Sequence, residues 1–242
     1  MRQSNTYIIV FSIITTIILG GLLSVTSVGL APRQKIQVEL DTKKSILGAV
    51  MEVKKTDDVL DIYDKRIESL VVDIKGNVVE TDESGNPLIA EDVSIEKNFR
   101  KSPEDRLYPV FLFKGTGNEI EAYILPIYGN GLWDVIWGYV ALDKDLNTIR
   151  GAVFDHKGET PGLGARISES EVQSRFVGRK VYDSDGGLVS VSMLKGEGNA
   201  AELLDDHHVD GLAGATITAR GVNNMLLNYL EYYQNYLKKI SS

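Results

Sequence analysis

The sequence predicts an α+β protein in which a single N-terminal transmembrane helix precedes a mainly antiparallel sheet with flanking helices. Residues 7–31 carry no charge and are rich in aliphatic side chains. Four apolar segments of strand length follow one another between residues 108 and 154, and residues 222–237 repeat apolar side chains at helical spacing. We therefore expect an anchor over residues 1–31 and one soluble domain over residues 32–242, with a helical N-terminal part.

The uncharged N-terminal stretch is long enough to cross a membrane. Its 25 residues, Tyr7–Ala31, would extend about 37 Å as a helix, against a hydrocarbon core of about 30 Å. A cleaved signal peptide is the alternative, because Ser24–Ser27 supplies small residues. The stretch is long for a signal peptide and lacks a clear Ala-x-Ala cleavage site, so we expect an uncleaved anchor.

Short elements are expected between the anchor and the central strands, from the spacing of apolar residues and from turn-forming residues. In chain order they are helices at residues 43–53 and 59–67, strands at 71–74 and 78–80, a turn-rich connection at 82–87, and a loop or short helix at 96–106.

The central strands follow at close spacing, which favours antiparallel pairing. Gly115–Asn118 is typical of a hairpin loop between the first two. The predicted strands are residues 108–114, 120–127, 135–142 and 148–154.

The C-terminal third is predicted to contain two helices and one strand. Ser168–Glu171 has the spacing of a capping box, which predicts a helix through Phe176. Residues 188–194 are expected to form a strand, and the last helix begins near Thr216. We find no internal repeat.

Composition excludes several classes of function. With 26 basic and 34 acidic residues the net charge is −8, which argues against nucleic acid as a partner. The absence of cysteine excludes disulfides, thiolate zinc sites and cysteine-ligated iron–sulfur clusters within this chain. His207 and His208 have no accompanying third ligand, so no metal site is expected. No Gly-x-Gly-x-x-Gly or Gly-x-Ser-x-Gly motif indicates nucleotide oxidation or hydrolysis, and no catalytic residue is assigned.

The most informative segment is Asp210-Gly211-Leu212-Ala213-Gly214-Ala215-Thr216, followed by Ile217-Thr218. It offers a threonine hydroxyl in a loop with little side-chain bulk, at the start of an amphipathic helix. A helix N-terminus favours phosphate. The alternative is that the threonines only cap the helix.

A second segment, Glu159-Thr160-Pro161-Gly162-Leu163-Gly164, predicts an unusual loop after the last central strand. Proline restricts one backbone angle and the glycines permit conformations closed to other residues. The scarcity of side chains would let a flat ring lie near backbone amides. An ordinary tight turn is the alternative.

Together the two segments resemble the FMN-binding domain family. The resemblance implies that a flavin transferase moves FMN from FAD onto Thr216 through a phosphodiester bond. Asp210 matches the acidic position of the family motif, whereas Ala213 departs from it, since the family usually has Ser or Thr there. The implied cofactor-binding residues are Thr216, as the covalent attachment point, and Asp210, Gly211, Gly214, Ala215, Thr218, Glu159, Thr160, Pro161, Gly162, Leu163, Gly164 and Trp133.

A third stretch, residues 125–142 with Gly131-Leu132-Trp133 at its centre, is similar to the C subunits of the sodium-translocating NADH:quinone oxidoreductases. This resemblance implies an electron carrier that works with five other subunits on the route from NADH to quinone while sodium crosses the membrane. Trp133 would stack beside the flavin or fill a core. Two alternatives stay open: the G subunit of the related Rnf complex, and a membrane-anchored binding or scaffold module without redox activity.

Charge and resemblance disagree about the side of the membrane. Arg33, Lys35, Lys43 and Lys44 follow the apolar stretch, and a count of positive residues would place the domain in the cytoplasm. The resemblance implies a bacterial inner membrane protein with a periplasmic domain, which we adopt as the expectation.

Two cations near the motifs, Arg166 and Lys195, are candidate partners of the flavin phosphate or ring. Surface cations are abundant, so an ordinary solvated role is the alternative for each.

Overall fold

The computed structural model describes residues 4–82 and 84–241 and divides the chain into two compact units, the first ending at Thr42 and the second beginning at Lys43. The predicted α+β class is confirmed: a long apolar N-terminal helix, a five-stranded antiparallel sheet and a C-terminal helix. The helices are α1 (Asn5–Gly48), α2 (Val59–Arg66), α3 (Ile95–Phe99), α4 (Ser170–Ser174) and α5 (Thr216–Ile240). The strands are β1 (Ile67–Val72), β2 (Tyr108–Lys114), β3 (Ile120–Asn130), β4 (Val135–Asp143), β5 (Ile149–His156), β6 (Ser192–Met193) and β7 (His208–Val209).

In the first unit the described residues from Asn5 to Thr42 belong to α1, and they include its apolar part. Among the described residues, α1 is the one helix whose length and composition would allow it to cross a membrane. Pro32 lies inside the helix without ending it. The predicted boundary between residues 31 and 32 therefore falls within α1 and stays a prediction.

The second unit begins with the end of α1, and here one prediction is wrong. The helix expected over residues 43–53 is the last part of α1 and stops at Gly48. The Ala49 and Val50 amides bond carbonyls three residues back, which tightens the chain into a turn. A Cβ on Gly151 would overlap the Ala49 carbonyl, so the chain turns directly onto the sheet.

The sheet is an antiparallel meander in the order β1-β2-β3-β4-β5. β2 matches the predicted residues 108–114, and the other three central strands extend one to three residues past their predicted ends. One buried cluster joins the sheet to α5, and a second joins it to the end of α1 and to α2. On α5, Tyr233 is fully buried and donates a hydrogen bond of 2.8 Å to the Pro109 carbonyl, which fixes the helix across the strands.

Four other element predictions are corrected. The strand expected at residues 71–74 is β1, which ends at Val72 because Asp73 begins a turn. The strand expected at residues 78–80 is only an isolated bridge at Val78. The strand expected at residues 188–194 is reduced to a bridge at Leu188 and the two-residue β6. Ser168 does not form a capping box: its hydroxyl donates to the Ala165 carbonyl, and α4 ends at Ser174.

Among the described residues, the same kind of turn occurs three times. In each case an aspartate carboxylate accepts the amide of the fourth residue after it, and the third residue is a glycine with positive φ. The turns begin at Asp73, Asp82 and Asp183, and their glycines are Gly76, Gly85 and Gly186.

These turns supply a matched pair of substitutions. Gly76 and Gly85 have φ values of 73° and 83°, but a Cβ on Gly76 would lie 2.5 Å from the Tyr236 amide nitrogen, whereas a Cβ on Gly85 would meet open space. Gly85→Ala should therefore cost about 1 kcal/mol of unfolding free energy, from backbone strain alone. Gly76→Ala should cost about 3 kcal/mol or more, because α5 must also move. Urea unfolding of the detergent-solubilised chain would measure both, and equal losses would contradict the packing argument.

Candidate functional site

The threonine of the first motif is the first residue of α5. The residue before the helix is Ala215, and no side chain caps the helix N-terminus. The interpretation in which Thr216 and Thr218 only cap the helix is therefore wrong. The first amide groups of a helix have no partner within the helix, so this end can accept an anion.

The two threonines differ in access to solvent. Thr216 is half-buried, whereas Thr218 is fully buried and its hydroxyl donates a 2.5 Å hydrogen bond to Oε2 of Glu159. The Thr218 hydroxyl is thus committed within the protein, and the Thr216 hydroxyl lies nearer the surface.

Glu159 connects three segments. Its side chain is 4% exposed, and its Oε1 accepts the Leu132 and Trp133 amides at 2.8 and 2.9 Å. Oε2 accepts the Thr218 hydroxyl. Burial opposes ionisation, but these hydrogen bonds outweigh it and hold the pKa of the Glu159 carboxyl below its usual range. The carboxylate therefore ties the β3–β4 turn to the start of α5.

Two glycines make room for this carboxylate. A Cβ on Gly164 would overlap Glu159 Oε2 and lie 2.5 Å from the Thr218 hydroxyl, and a Cβ on Gly131 would overlap Glu159 Oε1. Neither glycine has a positive φ. Close approach, and not backbone conformation, accounts for them.

The proline–glycine loop, residues 159–164, folds on itself. The Thr160 carbonyl accepts the amides of Leu163 and Ala165, both at 3.1 Å. Pro161 and Gly162 are exposed at its tip, where Gly162 has a φ of 74°. The structure thus places a narrow loop beside the start of α5.

Trp133 extends from the β3–β4 turn over this loop. Its side chain is 69% exposed, and its indole Nε1 donates to the Thr160 hydroxyl at 3.2 Å. Filling a core is therefore not its role. Exposed apolar side chains lie on the three segments that Glu159 brings together, and they are Leu132, Trp133, Leu163 and Ile217. We call these four residues the apolar shelf.

Asp210 has a bracing role. Its carboxylate accepts the Gly198 amide at 2.8 Å and the Asn199 side-chain amide at 2.7 Å. Burial opposes its ionisation, but these hydrogen bonds outweigh burial and lower the Asp210 pKa. A Cβ on Gly211 would overlap the Leu194 carbonyl, so the backbone at Gly211 lies in close contact with the backbone at Leu194. Gly214 has a φ of 70° and lies under the Leu163 side chain.

The Arg166 guanidinium is occupied by carboxylates. It forms two hydrogen bonds with Glu197, at 2.7 and 2.9 Å, and a longer one with Glu169. Arg175 also donates to Glu197, at 2.8 Å. Hydrogen bonds from Arg166 and then Arg175 lower the pKa of Glu197 to about 2. Neither Glu197 nor Arg175 lies in a recognisable motif, so the sequence alone does not identify them as site residues.

The lowered pKa of Glu197 predicts a pH dependence. A carboxyl whose folded pKa is about 2, against an ordinary 4.5, stabilises the fold above pH 4.5 and loses that contribution as the pH falls towards 2. Glu197→Gln removes it. The difference in unfolding midpoint between wild type and Glu197→Gln should be constant above pH 5 or so and vanish near pH 2. Parallel midpoint curves across this range would contradict the assignment.

The adjacent histidines and one surface pocket have their partners and lining residues outside the predicted site residues. His207 Nδ1 is 2.8 Å from the Lys180 carbonyl, and His208 Nδ1 is 2.8 Å from Asp205. Within residues 4–82 and 84–241, no group of three or more His, Asp or Glu side chains is arranged to hold a metal. A pocket of about 310 Å³ beside Tyr128 and Trp137 contains none of the predicted site residues.

Comparison with known sequences bears on this site. Residues 131–231 match the family model of the FMN-binding domain. This span begins in the β3–β4 turn, ends in α5, and includes every residue of the predicted site.

Curated relatives match nearly the whole chain. The chain is 35% identical to the C subunit of the Na(+)-translocating NADH-quinone reductase of Neisseria meningitidis serogroup A, over 99% of this chain and 95% of that protein. It is 34% identical to the protein of the same description from Haemophilus ducreyi, over 90% of this chain and 85% of that protein.

Solved structures share the fold. The crystal structure of the corresponding Na(+)-translocating NADH-quinone reductase protein from Parabacteroides distasonis superposes with a TM-score of 0.72 at 34% identity, covering 86% of this chain and 96% of that one. A Shewanella oneidensis homologue superposes with a TM-score of 0.70 at 26% identity, covering 84% of this chain and 97% of that one.

Proposed function

The chain belongs to the family of C subunits of the Na(+)-translocating NADH-quinone reductases and contains an FMN-binding domain, and on this premise we propose that it carries FMN covalently on the Thr216 hydroxyl and relays electrons. The observation that supports the attachment point is the contrast between the two threonines. Thr218 is buried with its hydroxyl bound to Glu159, while Thr216 is half-buried beside the apolar shelf.

The attachment is a group transfer from FAD. The Thr216 oxygen attacks the FMN phosphorus of FAD, the phosphoanhydride bond breaks, and AMP leaves while a base of the flavin transferase takes the hydroxyl proton. The product is a phosphodiester with one negative charge, in place of the roughly two charges of a phosphate monoester. An acidic chain accommodates the smaller charge more easily.

The start of α5 suits this phosphate. The helix has 25 residues and no side-chain cap, so its first amide groups and its dipole favour an anion at residue 216. Arg166 is bound to Glu197 and is not needed as the counter-ion. We infer that the backbone amides, and not a surface arginine, stabilise the diester.

The apolar shelf suits the isoalloxazine ring. Trp133 offers an exposed aromatic face, and Leu163 and Ile217 are 41% and 53% exposed on two other segments. Glu159 holds the Trp133 amide and Thr218 together, which keeps the shelf beside the attachment point. Bound FMN supplies one- and two-electron redox chemistry, and the protein's part is to fix the position of the ring relative to its donor and acceptor.

The test of the attachment is direct. The chain, produced with an active flavin transferase, should increase in mass by FMN less one water and fluoresce as a flavin band after denaturing electrophoresis. A mass equal to that of the unmodified chain, with the transferase active on a known acceptor, would leave only non-covalent FMN binding.

We further propose that residues 1–31 anchor residues 32–242 on the periplasmic face of the bacterial inner membrane, within a complex of six different subunits. The apolar part of α1 supports the anchor. In spheroplasts, external protease should degrade the soluble domain. Protection of the domain until the membrane is opened would place it in the cytoplasm instead.

A further inference from the structure

The acceptor loop, residues 210–215, is held by a neighbouring segment, residues 194–199, which we call the bracing loop. The two loops follow adjacent strands, since Ser192 and Met193 of β6 pair in parallel with His208 and Val209 of β7. The ladder continues one step further, with the Leu194 amide donating to the Val209 carbonyl at 2.9 Å. The loops therefore leave the ribbon side by side.

Carboxylates connect these loops in both directions. Asp210 of the acceptor loop accepts the amides of Gly198 and Asn199 of the bracing loop. Glu197 of the bracing loop in turn accepts the Ala213 amide of the acceptor loop at 3.3 Å.

Glu197 also reaches the proline–glycine loop. Arg166, two residues after Gly164, binds both Glu197 oxygens, and the Glu197 side chain is 24% exposed in this pair. One partly buried carboxylate therefore binds the Ala213 amide of the acceptor loop and the Arg166 side chain, two residues after the proline–glycine loop.

Arg175 of the segment after α4 completes the arrangement. Its guanidinium donates to Glu197 at 2.8 Å and to the Gly211 carbonyl at 2.6 Å. It also donates to Glu171 at 2.6 Å. The acceptor loop is thus held at the Gly211 carbonyl and the Ala213 amide, five and three residues before Thr216.

We propose that Glu197, together with Arg175, is a positioning residue for flavin attachment: it holds the acceptor loop in the conformation that presents the Thr216 hydroxyl to the flavin transferase. The inference rests on the proposed function. Among the described residues, neither the Glu197 nor the Arg175 side chain forms a hydrogen bond with Thr216. Both bind backbone groups of the acceptor loop, so their effect on Thr216 passes through that backbone.

The positioning of the acceptor loop depends on the charge of the Glu197 carboxylate, and not on the volume of its side chain alone. Charge-assisted hydrogen bonds are about twice as strong as neutral ones. Glutamine at position 197 would keep the size of the side chain but place an amide group against two arginines. The acceptor loop would then sample other conformations, and a smaller fraction of molecules would present Thr216.

The chain provides a matched control. Glu121 at the start of β3 also lies between two arginines, with Oε2 at 3.2 Å from Arg150 and 3.9 Å from Arg66. β3 leads away from Glu121 to the β3–β4 turn of the site at its other end. Glu121→Gln therefore removes one carboxylate charge between two arginines without touching either motif loop.

The experiment measures the rate of FMN attachment to the detergent-solubilised full chain with purified flavin transferase and FAD. Glu197→Gln should attach FMN about tenfold more slowly than wild type, as loss of a charge-assisted link predicts, with unchanged KM for FAD. Glu121→Gln should match wild type. Raising the ionic strength should reduce the difference in attachment rate between wild type and Glu197→Gln, because the ion pairs of Glu197 are partly exposed and salt screens them.

Equal attachment rates for wild type and folded Glu197→Gln would overturn the positioning role while leaving the proposed function intact. If Glu197→Gln does not fold, Arg175→Lys decides, since lysine keeps the charge but cannot bind Glu197 and the Gly211 carbonyl together. A wild-type rate in Arg175→Lys would then overturn the proposal. Failure of wild type itself to accept FMN would overturn the proposed function, and the positioning role with it.

Discussion

Thr216→Ala is expected to abolish covalent FMN completely, because the other threonine of the motif is neither accessible nor uncommitted. Thr218, two residues later, is fully buried and bound to Glu159. Thr216→Ser keeps a hydroxyl at the same position and should still be modified. Intact mass and in-gel flavin fluorescence of the denatured variants would measure the loss.

Thr218→Val is the matched control for this prediction. Valine has nearly the shape of threonine but cannot donate to Glu159, so the variant should retain FMN at Thr216 and lose about 1–3 kcal/mol of unfolding free energy. Loss of FMN in Thr218→Val with retention in Thr216→Ala would move the attachment point by two residues.

Glu159→Ala is expected to lower the stability of the fold strongly. It would leave the part-buried Leu132 and Trp133 amides and the buried Thr218 hydroxyl without their shared acceptor. An unsatisfied buried group costs about 1–3 kcal/mol, so a total loss of about 3 kcal/mol or more is expected. Urea unfolding would measure it.

Glu159→Gln separates charge from hydrogen bonding. Glutamine can still accept one or both amides through its oxygen and can donate to the Thr218 oxygen, so it should cost less than half as much as alanine. A double-mutant cycle between Glu159→Ala and Thr218→Val, in which neither single substitution leaves a hydrogen bond between the two side chains, would measure the coupling of this pair. Additive effects of the two substitutions would mean that the 2.5 Å hydrogen bond contributes nothing of its own.

Disordering of the shelf is a further consequence of Glu159→Ala. The Trp133 amide would lose its fixed acceptor, and the exposed indole would keep only its link to Thr160. Weaker quenching of Trp133 fluorescence by bound FMN would report this change. A background signal from Trp137 is removed by carrying out the comparison in Trp137→Phe.

Local patterns predicted most of the fold correctly. The four central strands are short apolar segments separated by turn-forming residues, and β2 was predicted to the residue. α5 buries ten residues at helical spacing, which makes its pattern strong. Prediction failed at Gly48, where contact with the sheet ends the helix, and at Asp73, where a hydrogen bond from the Asn77 amide to the Asp73 side chain starts a turn.

The candidate site shows the same division. Its loops were predicted because proline and glycine restrict or free the backbone locally, whereas the partners of its charged groups were not. Arg166 was a candidate for the flavin phosphate, yet in the fold it binds Glu197, 31 residues away. No local pattern reports a pair of this separation.

By itself, the sequence determined the α+β class, the apolar stretch of α1, the two motif loops and the resemblance to a flavin-binding family, because each depends on neighbouring residues or on the order of residues in a motif. Only the tertiary structure decided which threonine is accessible and which carboxylates hold the loops. Glu159 and Thr218 are 59 residues apart in the chain. Such contacts depend on how the sheet and α5 pack, since packing alone brings distant side chains within hydrogen-bonding distance.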